Sequence, residues 1–591
     1  MESKTFSLKR IVSNPLLPWV LILAIWIAWI LIPFFDVGMA TQDQLGFSLE
    51  DPSNIFKEVY SHARKQGRIY FNFTKIVDVF FAVFPDHDLA KVVGFSLFAL
   101  APLCFSYAVF RSNIARFVFI WFFFCFIWLG TSHLPPAAYP AVNHLPFIFW
   151  IPIALLIRKS TKRTEPPNMA KLLILGILSF ICFFQYEPVA LMSAVLIPWI
   201  IYTTELSVKA KQRFYFATGT AVFVYALCYL TWSLKHPSSY SGLEIGNTTF
   251  FSIIKAFIAY SIGSLPWLGT FNTTQSFTWG DKIYGDQLLK YQINSIPSIG
   301  ILELTISVLG IVAIIAIVCS KNRARKFDWE KTIGTPFWKL LLLSLITLGA
   351  INGPISLSKK YQLWADKWSE SYLTSHLALF PLCAIFACLA LYFGKLVRVK
   401  KQPIGLLICL LISGVSAIFV HDHNKQYSVY LRENLARWDA VSMISSSSHL
   451  WGNVRVNAPQ LYFEIQSNEK DWSKYWNEYT EKRYSKSIDF SAYLDPSEQP
   501  DNEYVNTKIY HQGNGSIRCI MVQTTEALFI ISTKSNRPTL LVDRNYNGIK
   551  LNLSSFNKIE GSPYFASKVK NNSLFVGLDK TVSPVWSFPS Y

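Results

Sequence analysis

Charged residues are scarce in this sequence, and hydrophobic residues are abundant. Asp, Glu, Lys and Arg make up 16% of the 591 residues, whereas hydrophobic residues make up 51%. This composition is too apolar for an ordinary soluble enzyme, in which about 25% of residues are charged. The hydrophobic residues also come in runs close to the roughly 20 residues that a helix needs to cross a bilayer. The sequence therefore predicts an α-helical polytopic membrane protein.

Motifs based on cysteine, histidine or glycine are also missing. Most of the nine cysteines fall in or at the ends of hydrophobic runs, and Cys519 alone lies in the long polar tail, which excludes a disulfide within that tail. No CxxC pair or Cys/His cluster indicates a zinc site. The sequence contains no Walker loop, GxSxG elbow or internal repeat.

About eleven hydrophobic runs are predicted to span the membrane, and basic residues between them predict the orientation. Lys and Arg cluster on every second connection, so the positive-inside rule puts the N-terminus in the cytoplasm. An odd number of spans puts the C-terminus outside. No A-x-A-like cleavage site follows the first run, so we expect it to remain as an anchor. The predicted spans are 17–35, 91–110, 117–133, 138–157, 171–187, 188–203, 214–233, 298–318, 337–356, 372–394 and 403–420.

The polar parts of the chain are predicted to lie mainly outside the cytoplasm. The membrane domain, 1–420, has two long outer loops at 36–90 and 234–297, whereas its inner connections are short. Within the second loop, the apolar stretch 249–268 fits an interfacial, a re-entrant or a spanning segment. Residues 421–591 are predicted to form an extracytoplasmic helix and a β-rich domain, because short alternating runs are separated by turn residues. This asymmetry favours chemistry on the outer face.

The formal net charge of +18 points to the lipid bilayer as a partner. The basic residues sit at the ends of hydrophobic runs and form no single patch, which argues against nucleic-acid binding. Ionisable residues at the membrane edge are candidate site residues. The alternative for each candidate is an ordinary solvated or interfacial polar residue without a role in a site, and that alternative stays open. The candidates found in this way are Glu187, Arg64, Arg68, Lys359, Lys360 and His376.

Several features of the layout occur together. A cytoplasmic N-terminus precedes one span and a long acidic outer loop that reaches Gly67-Arg68, and Gly67 is predicted to stop a helix within this loop. Tyr186-Glu187 lies at a later outer edge, and a soluble tail follows the last span. This layout resembles the GT-C class of integral-membrane glycosyltransferases. Within that class the chain resembles bacterial Gtr-type O-antigen glucosyltransferase-like proteins over about residues 1–450.

The resemblance implies transfer of a sugar from a polyprenyl-phosphate donor, such as undecaprenyl phosphate, to a glycan or lipid acceptor. The reaction would take place on the outer face of a bacterial inner membrane. In GT-C enzymes an Asp of the first outer loop typically deprotonates the acceptor hydroxyl, and the matching residue here is Asp43. Many relatives carry an acidic pair at this place, whereas this chain has Asp43-Gln44, so a role for Mg²⁺ or Mn²⁺ is left open. Glu187 is the second predicted catalytic residue, which would position the substrate or a metal.

Inverting transfer needs a carboxylate base and a positive charge that stabilises the leaving phosphate. Arg68, Arg64 and the two lysines of the later loop are predicted for the second role. Two other functions stay open. An O-antigen polymerase or ligase is expected to carry Arg and His in a late loop, but 352–371 contains no Arg. A transporter or flippase is expected to show internal repeats and charged residues deep within spans.

Overall fold

In a computed structural model of the chain, helices make up most of the described residues up to position 448, and strands appear after it. The described residues fall in two compact units, with the boundary between Lys425 and Gln426. The structure describes residues 23, 24, 27, 54–69, 88–127, 140–160, 167–238, 244–246, 249–265, 337–365, 373–398, 403–448, 455–458, 470–485, 487–491, 504–511, 517–523, 528–532, 539–543, 549–552, 566–570 and 573–577.

Helices that run back and forth build the first unit, and the boundary between the units falls within the last of them. Short connections join most neighbours, as expected of antiparallel helices. The helices are α1 (Ile55–Gln66), α2 (Asp88–Val109), α3 (Asn113–Phe126), α4 (Pro140–Lys159), α5 (Met169–Phe183), α6 (Glu187–Thr203), α7 (Val208–Lys235), α8 (Phe250–Ile262), α9 (Phe337–Leu357), α10 (Lys359–Trp364), α11 (Leu373–Leu396) and α12 (Ile404–Ser447).

Four helical segments in the described part of the chain are long and apolar enough to cross a membrane. They are Val208–Lys235, Phe337–Leu357, His376–Leu396 and Ile404–Asp422, and many of their large apolar side chains are exposed. Exposed apolar faces of this size require a lipid or protein environment. The finding supports a helical membrane protein. The full count of eleven spans stays a prediction, because the predicted spans 17–35 and 298–318 lie largely or wholly outside the described residues.

Aromatic rings fill the core of the first unit. The ring of Phe380 on α11 lies 4.7 Å from that of Phe123 on α3, 4.7 Å from that of Phe147 on α4 and 5.4 Å from that of Phe105 on α2. These are normal centroid separations for tilted aromatic pairs. Because lipid tails are as apolar as Phe, close packing must hold such helices together. Phe380 therefore joins α2, α3, α4 and α11.

Buried indole groups in this core find hydrogen-bond partners on neighbouring helices. Trp121 Nε1 donates to Ser413 Oγ at 2.9 Å, which joins α3 to α12. Trp150 Nε1 donates to Ser193 Oγ at 3.1 Å, which joins α4 to α6. A buried N–H without an acceptor would cost about 1–3 kcal/mol, so these pairs fix how the helices are rotated against each other.

The second unit contains two sheets and a helix, α13 (Lys470–Tyr484). Six strands form a mixed sheet in the order β2-β1-β3-β4-β5-β6, in which β1 runs parallel to both of its neighbours. Three strands form an antiparallel sheet in the order β7-β9-β8. The strands are β1 (Arg455–Asn457), β2 (Asp489–Ser491), β3 (Tyr504–His511), β4 (Ile517–Gln523), β5 (Leu528–Ser532), β6 (Thr539–Asp543), β7 (Ile549–Asn552), β8 (Ala566–Lys570) and β9 (Ser573–Gly577).

Several of these strands fall on the alternating runs of the sequence. The runs at 454–456, 507–510, 517–523, 527–533, 539–543 and 549–553 overlap β1 and β3 to β7, whereas the run at 461–465 lies outside the described residues. The side chain of Asn477 ties α13 to β2, because its Oδ1 accepts from the Phe490 N–H at 2.8 Å. An extracytoplasmic β-rich domain at 421–591 stays a prediction.

Candidate functional site

Contacts between helix termini define two ends of the helix bundle. At one end, Arg158 in the last turn of α4 donates from Nη1 to the Tyr107 carbonyl of α2 at 2.7 Å. Arg111, which follows α2, pairs with Glu205 after α6 at 3.2 Å. The start of α9 joins the same end, because Lys339 Nζ donates to the Tyr202 hydroxyl of α6. We call this the basic end. Arg158 binds carbonyls at the C-terminus of α2, where the helix dipole favours positive charge.

The opposite end gathers all the predicted site residues that the structure describes. It contains the starts of α4, α6 and α11 and the ends of α7 and α9, because His144 contacts His376 and Gly67 lies against His236. Arg64 and Arg68 adjoin this end through α1, and Lys359 and Lys360 begin α10. Predicted site residues and basic clusters therefore lie at different ends of one bundle.

Arg68 and Glu187 form the strongest polar contact at this end. Arg68 Nε donates to Glu187 Oε1 at 3.0 Å, and Arg68 Nη2 donates to Glu187 Oε2 at 2.6 Å. The side chains are 13% and 24% exposed, so water screens the pair only partly. Two parallel charge-assisted hydrogen bonds fix both the distance and the plane of the guanidinium. The pair joins the first predicted outer loop to the start of α6.

Local sequence explains why Arg68 reaches this position. Helix α1 ends at Gly67, whose φ of 65° is left-handed, as the sequence predicted for a helix stop at this residue. A Cβ at Gly67 would lie 2.7 Å from the His236 carbonyl oxygen at the end of α7. Glycine is thus required both for the turn and for the close approach to α7. The next residue, Arg68, is held beside α6.

The position of Glu187 follows from its place in α6. It is the first residue of the helix, and Pro188 follows it, which suits a helix start because proline lacks the N–H that would be unpaired there. A carboxylate in the first turn is also stabilised by the helix dipole. Tyr186 precedes it, and its ring centroid lies 5.6 Å from the Arg68 guanidinium carbon, within the range of a cation–π contact.

The side of α1 that faces α7 is aromatic. Tyr60 lies edge-on to Trp232, with ring centroids 5.8 Å apart, and Trp232 contacts His236 at 4.6 Å. Arg64 lies one turn after Tyr60, 6.0 Å from its ring centroid, and its side chain is exposed. These contacts fix α1 as a rigid support for Arg68, whereas Arg64 lies outside the ion pair.

Lys359 and Lys360 belong to a second contact between a predicted outer loop and the bundle. The backbone N–H of Lys359 donates to the Glu244 carbonyl at 2.9 Å, and Gly246 donates to the Leu357 carbonyl at 2.8 Å. Lys359 Nζ also lies 3.8 Å from Glu244 Oε2, but both side chains are more than half exposed. Lys360 Nζ lies 5.8 Å from the Tyr361 ring centroid. Neither described lysine contacts the Arg68–Glu187 pair.

His376 pairs with a second histidine inside the bundle. Its Nε2 lies 3.0 Å from His144 Nε2, and both rings are buried. In a neutral pair one ring donates its N–H to the other. Phe98 contacts both rings, with centroids 5.1 Å from His144 and 5.6 Å from His376. His376 is therefore part of the packed interface between α4 and α11, whereas the sequence predicted substrate binding.

Asp43, the predicted base, lies outside the described residues. Three or more His, Cys, Asp or Glu side chains do not converge anywhere in the described part of the chain. Glu187 directs both oxygens to Arg68, so a cation at this carboxylate would have to share it with the guanidinium. The Glu187 carboxylate fixes the position of the Arg68 guanidinium and balances its charge.

Contacts that sequence reasoning missed involve residues far apart in the chain. His144 and His376 are separated by 232 positions, and no motif links them. Glu244 was likewise not predicted as the partner of Lys359. The chain was compared with protein-family models, with curated proteins and with solved structures, and none of them matches it.

Proposed function

We propose that this protein is a membrane glycosyltransferase of GT-C-like architecture. It would move a sugar from a polyprenyl-phosphate donor to a cell-surface glycan or lipid on the outer face of a bacterial inner membrane. In this proposal all eleven spans form, the N-terminus is cytoplasmic, and residues 421–591 form an extracytoplasmic domain. The bundle end that carries Arg68 and Glu187 is then the outer face.

The contact between Arg68 and Glu187 carries the proposal. It joins a loop residue to a helix residue 119 positions later, and both had been predicted as site residues from the layout. An arginine held by a carboxylate at a membrane edge suits a lipid-linked phosphate, because a planar guanidinium binds phosphate oxygens in pairs. Glu187 then orients Arg68 and is a positioning residue.

The proposed reaction is a single displacement. The acceptor hydroxyl attacks the anomeric carbon of the sugar, and its proton passes to the carboxylate of Asp43. The bond between the anomeric carbon and the phosphate oxygen breaks, which inverts the configuration and releases polyprenyl phosphate. Arg68 stabilises the negative charge that develops on this leaving group.

Mass spectrometry of surface glycans from cells with and without the protein tests the function. Loss of a single hexose-type substituent is the result expected for a transferase. Loss of glycan chain length would instead indicate a polymerase or ligase. Accumulation of an unmodified lipid-linked precursor on the inner leaflet would indicate a flippase.

Three variants test the roles of the residues, with transfer measured in membranes and normalised for protein level. Asp43→Asn keeps the side-chain shape and removes the base, so transfer should fall by about 10²–10⁴-fold. Arg68→Ala should mainly weaken donor binding, and Glu187→Gln should have a smaller effect. Glu50→Gln and Asp51→Asn in the same loop are the controls. Full transfer by Asp43→Asn, together with loss of transfer in a control, would mean that the residue changed in that control is the base.

A further inference from the structure

Two lysines from different helices converge on one tyrosine at the basic end. Tyr202 lies near the end of α6, and its backbone carbonyl accepts from Lys211 Nζ of α7 at 2.9 Å. Its hydroxyl accepts from Lys339 Nζ of α9 at 2.6 Å. The two ammonium nitrogens lie 5.8 Å and 4.9 Å from the centroid of the Tyr202 ring. One residue thus brings together two positive charges.

No carboxylate balances these two charges within the described part of the chain. The nearby acid, Glu205, pairs with Arg111 at 3.2 Å, and its own side chain is 89% exposed. Each ammonium group has three N–H donors and uses one of them on Tyr202. The carbonyl and the hydroxyl lie at opposite ends of the tyrosine, so the two ammonium groups flank its ring and together attract an anion to this face. The pair of lysines therefore has both the charge and the donors to bind a phosphate.

The surroundings of Lys339 favour a lipid as the source of that phosphate. Its ammonium lies 5.5 Å from the ring centroid of Trp338, a residue that is 59% exposed, and tryptophan is enriched at the level of lipid headgroups. Leu342 and Ile346 follow Lys339 at helical spacings of three and seven residues, so they share its face of α9. Each is 49% exposed. An apolar stripe thus leads from the two ammonium groups along a predicted membrane span.

We propose that Lys211, Lys339 and Tyr202 form a binding site for the phosphodiester of an anionic phospholipid. Lys339 binds the phosphate oxygens, and Lys211 adds a second positive charge across the Tyr202 ring. Trp338 lies at the headgroup level, and the acyl chains lie along Leu342 and Ile346. The site is at the end of the bundle away from Arg68 and Glu187, and it does not depend on the proposed transfer reaction.

Native mass spectrometry of the full chain, purified in a neutral detergent, tests this site. The protein is titrated with phosphatidylglycerol and, separately, with zwitterionic phosphatidylcholine. We expect tighter binding of phosphatidylglycerol. In the double variant Lys211→Gln/Lys339→Gln, the first bound phosphatidylglycerol should be roughly 10- to 30-fold weaker, since each lysine near an anionic surface contributes about fivefold.

The matched control is Lys209→Gln/Lys395→Gln. It removes two exposed lysines from the same end of the bundle, one on α7 and one on α11, and should weaken binding by less than about threefold. Equal losses in the two double variants would overturn the site. So would equal binding of the two lipids by the wild-type protein. Displacement of phosphatidylglycerol by millimolar inorganic phosphate would show that the site takes a soluble anion.

Tyr202→Phe provides a second test that keeps both charges. It removes the hydroxyl that accepts from Lys339 and retains the ring. Phosphatidylglycerol binding should therefore weaken by roughly fivefold, the change in affinity that loss of about one hydrogen bond produces. If the double lysine variant does not yield folded protein, this variant alone tests whether the lipid binds at this site. Wild-type affinity in Tyr202→Phe would overturn the geometry proposed here.

Discussion

The guanidinium of Arg68 donates to both carboxylate oxygens of Glu187, and these two hydrogen bonds of 3.0 Å and 2.6 Å join the end of α1 to the start of α6. Arg68 follows a helix that packs on α7 through Tyr60 and Trp232. Glu187 begins a helix that is largely buried. The pair therefore joins the part of the first predicted outer loop that carries Arg68 to the packed bundle.

The first prediction concerns the energy of this pair. Arg68→Ala and Glu187→Ala each leave a partly buried charge without its partner, so each should lower the free energy of unfolding by about 1.5–3 kcal/mol. The double variant should cost less than the sum, because it removes both charges at once. Thermal unfolding of the purified protein in detergent, arranged as a double-mutant cycle, gives the coupling energy.

Arg64→Ala is the control for that cycle. Arg64 lies on the same helix, is exposed and does not contact Glu187, so its removal should change stability by less than about 0.5 kcal/mol. Strictly additive effects of Arg68→Ala and Glu187→Ala would mean that the two side chains do not interact in solution.

The second prediction concerns Gly67. Gly67→Ala places a Cβ 2.7 Å from the His236 carbonyl oxygen and a side chain in the left-handed region. The conformation alone costs about 1–2 kcal/mol, and relief of the clash would displace Arg68. We expect a lower unfolding temperature and weaker protection of α1 from hydrogen exchange.

Gly219→Ala is the matched control for Gly67→Ala. Gly219 lies inside α7, and a Cβ there meets no atom within 4 Å. Alanine should stabilise that helix by up to about 1 kcal/mol. Equal destabilisation by the two substitutions would show that the close approach at Gly67 does not matter.

The sequence predicted local structure at this end of the bundle better than it predicted contacts. The stop of α1 at Gly67 is confirmed, because glycine is the residue that a left-handed helix end favours. The start of α6 at Glu187 lies one residue from the predicted boundary between two spans, where proline marks a helix start. Both signals come from neighbouring residues, which single-sequence reasoning can evaluate.

Partners across the bundle could not be predicted in the same way. Arg68 and Glu187 were both named as site residues, but no periodicity indicates that two helices 119 positions apart bring them together. His376 was expected at a substrate, although its ring is buried against His144 and Phe98. A histidine one turn into an apolar helix looks the same in sequence whether it meets a ligand or another helix.

The third prediction concerns the two histidines. His144→Phe or His376→Phe leaves the other Nε2 in an apolar site among Phe98 and Phe380, at a cost of about 1–3 kcal/mol. Replacing both histidines by Phe removes the pair completely and should cost clearly less than the sum of the single substitutions. Unfolding of the four proteins in detergent checks this, and simple additivity would contradict a direct hydrogen bond.

The last prediction tests which end of the bundle faces outward, on which the proposed function depends. Two variants each carry one introduced cysteine, in a protein whose nine native cysteines have been replaced. Leu363→Cys lies on α10 beside Lys359 and Lys360, and Leu363 is 64% exposed. Lys209→Cys lies in the exposed first turn of α7 at the basic end.

A membrane-impermeant maleimide added to intact cells should label the cysteine at 363 and leave that at 209 unlabelled until the membrane is permeabilised. The physical reason is that the basic clusters of the sequence are retained on the cytoplasmic side. The two positions control for each other, because both are exposed and differ in the end of the bundle that they occupy. Labelling of position 209 alone in intact cells would put Arg68 and Glu187 on the cytoplasmic side, away from an acceptor at the cell surface. The proposed transferase would then be wrong, whereas the Arg68–Glu187 contact itself would stand.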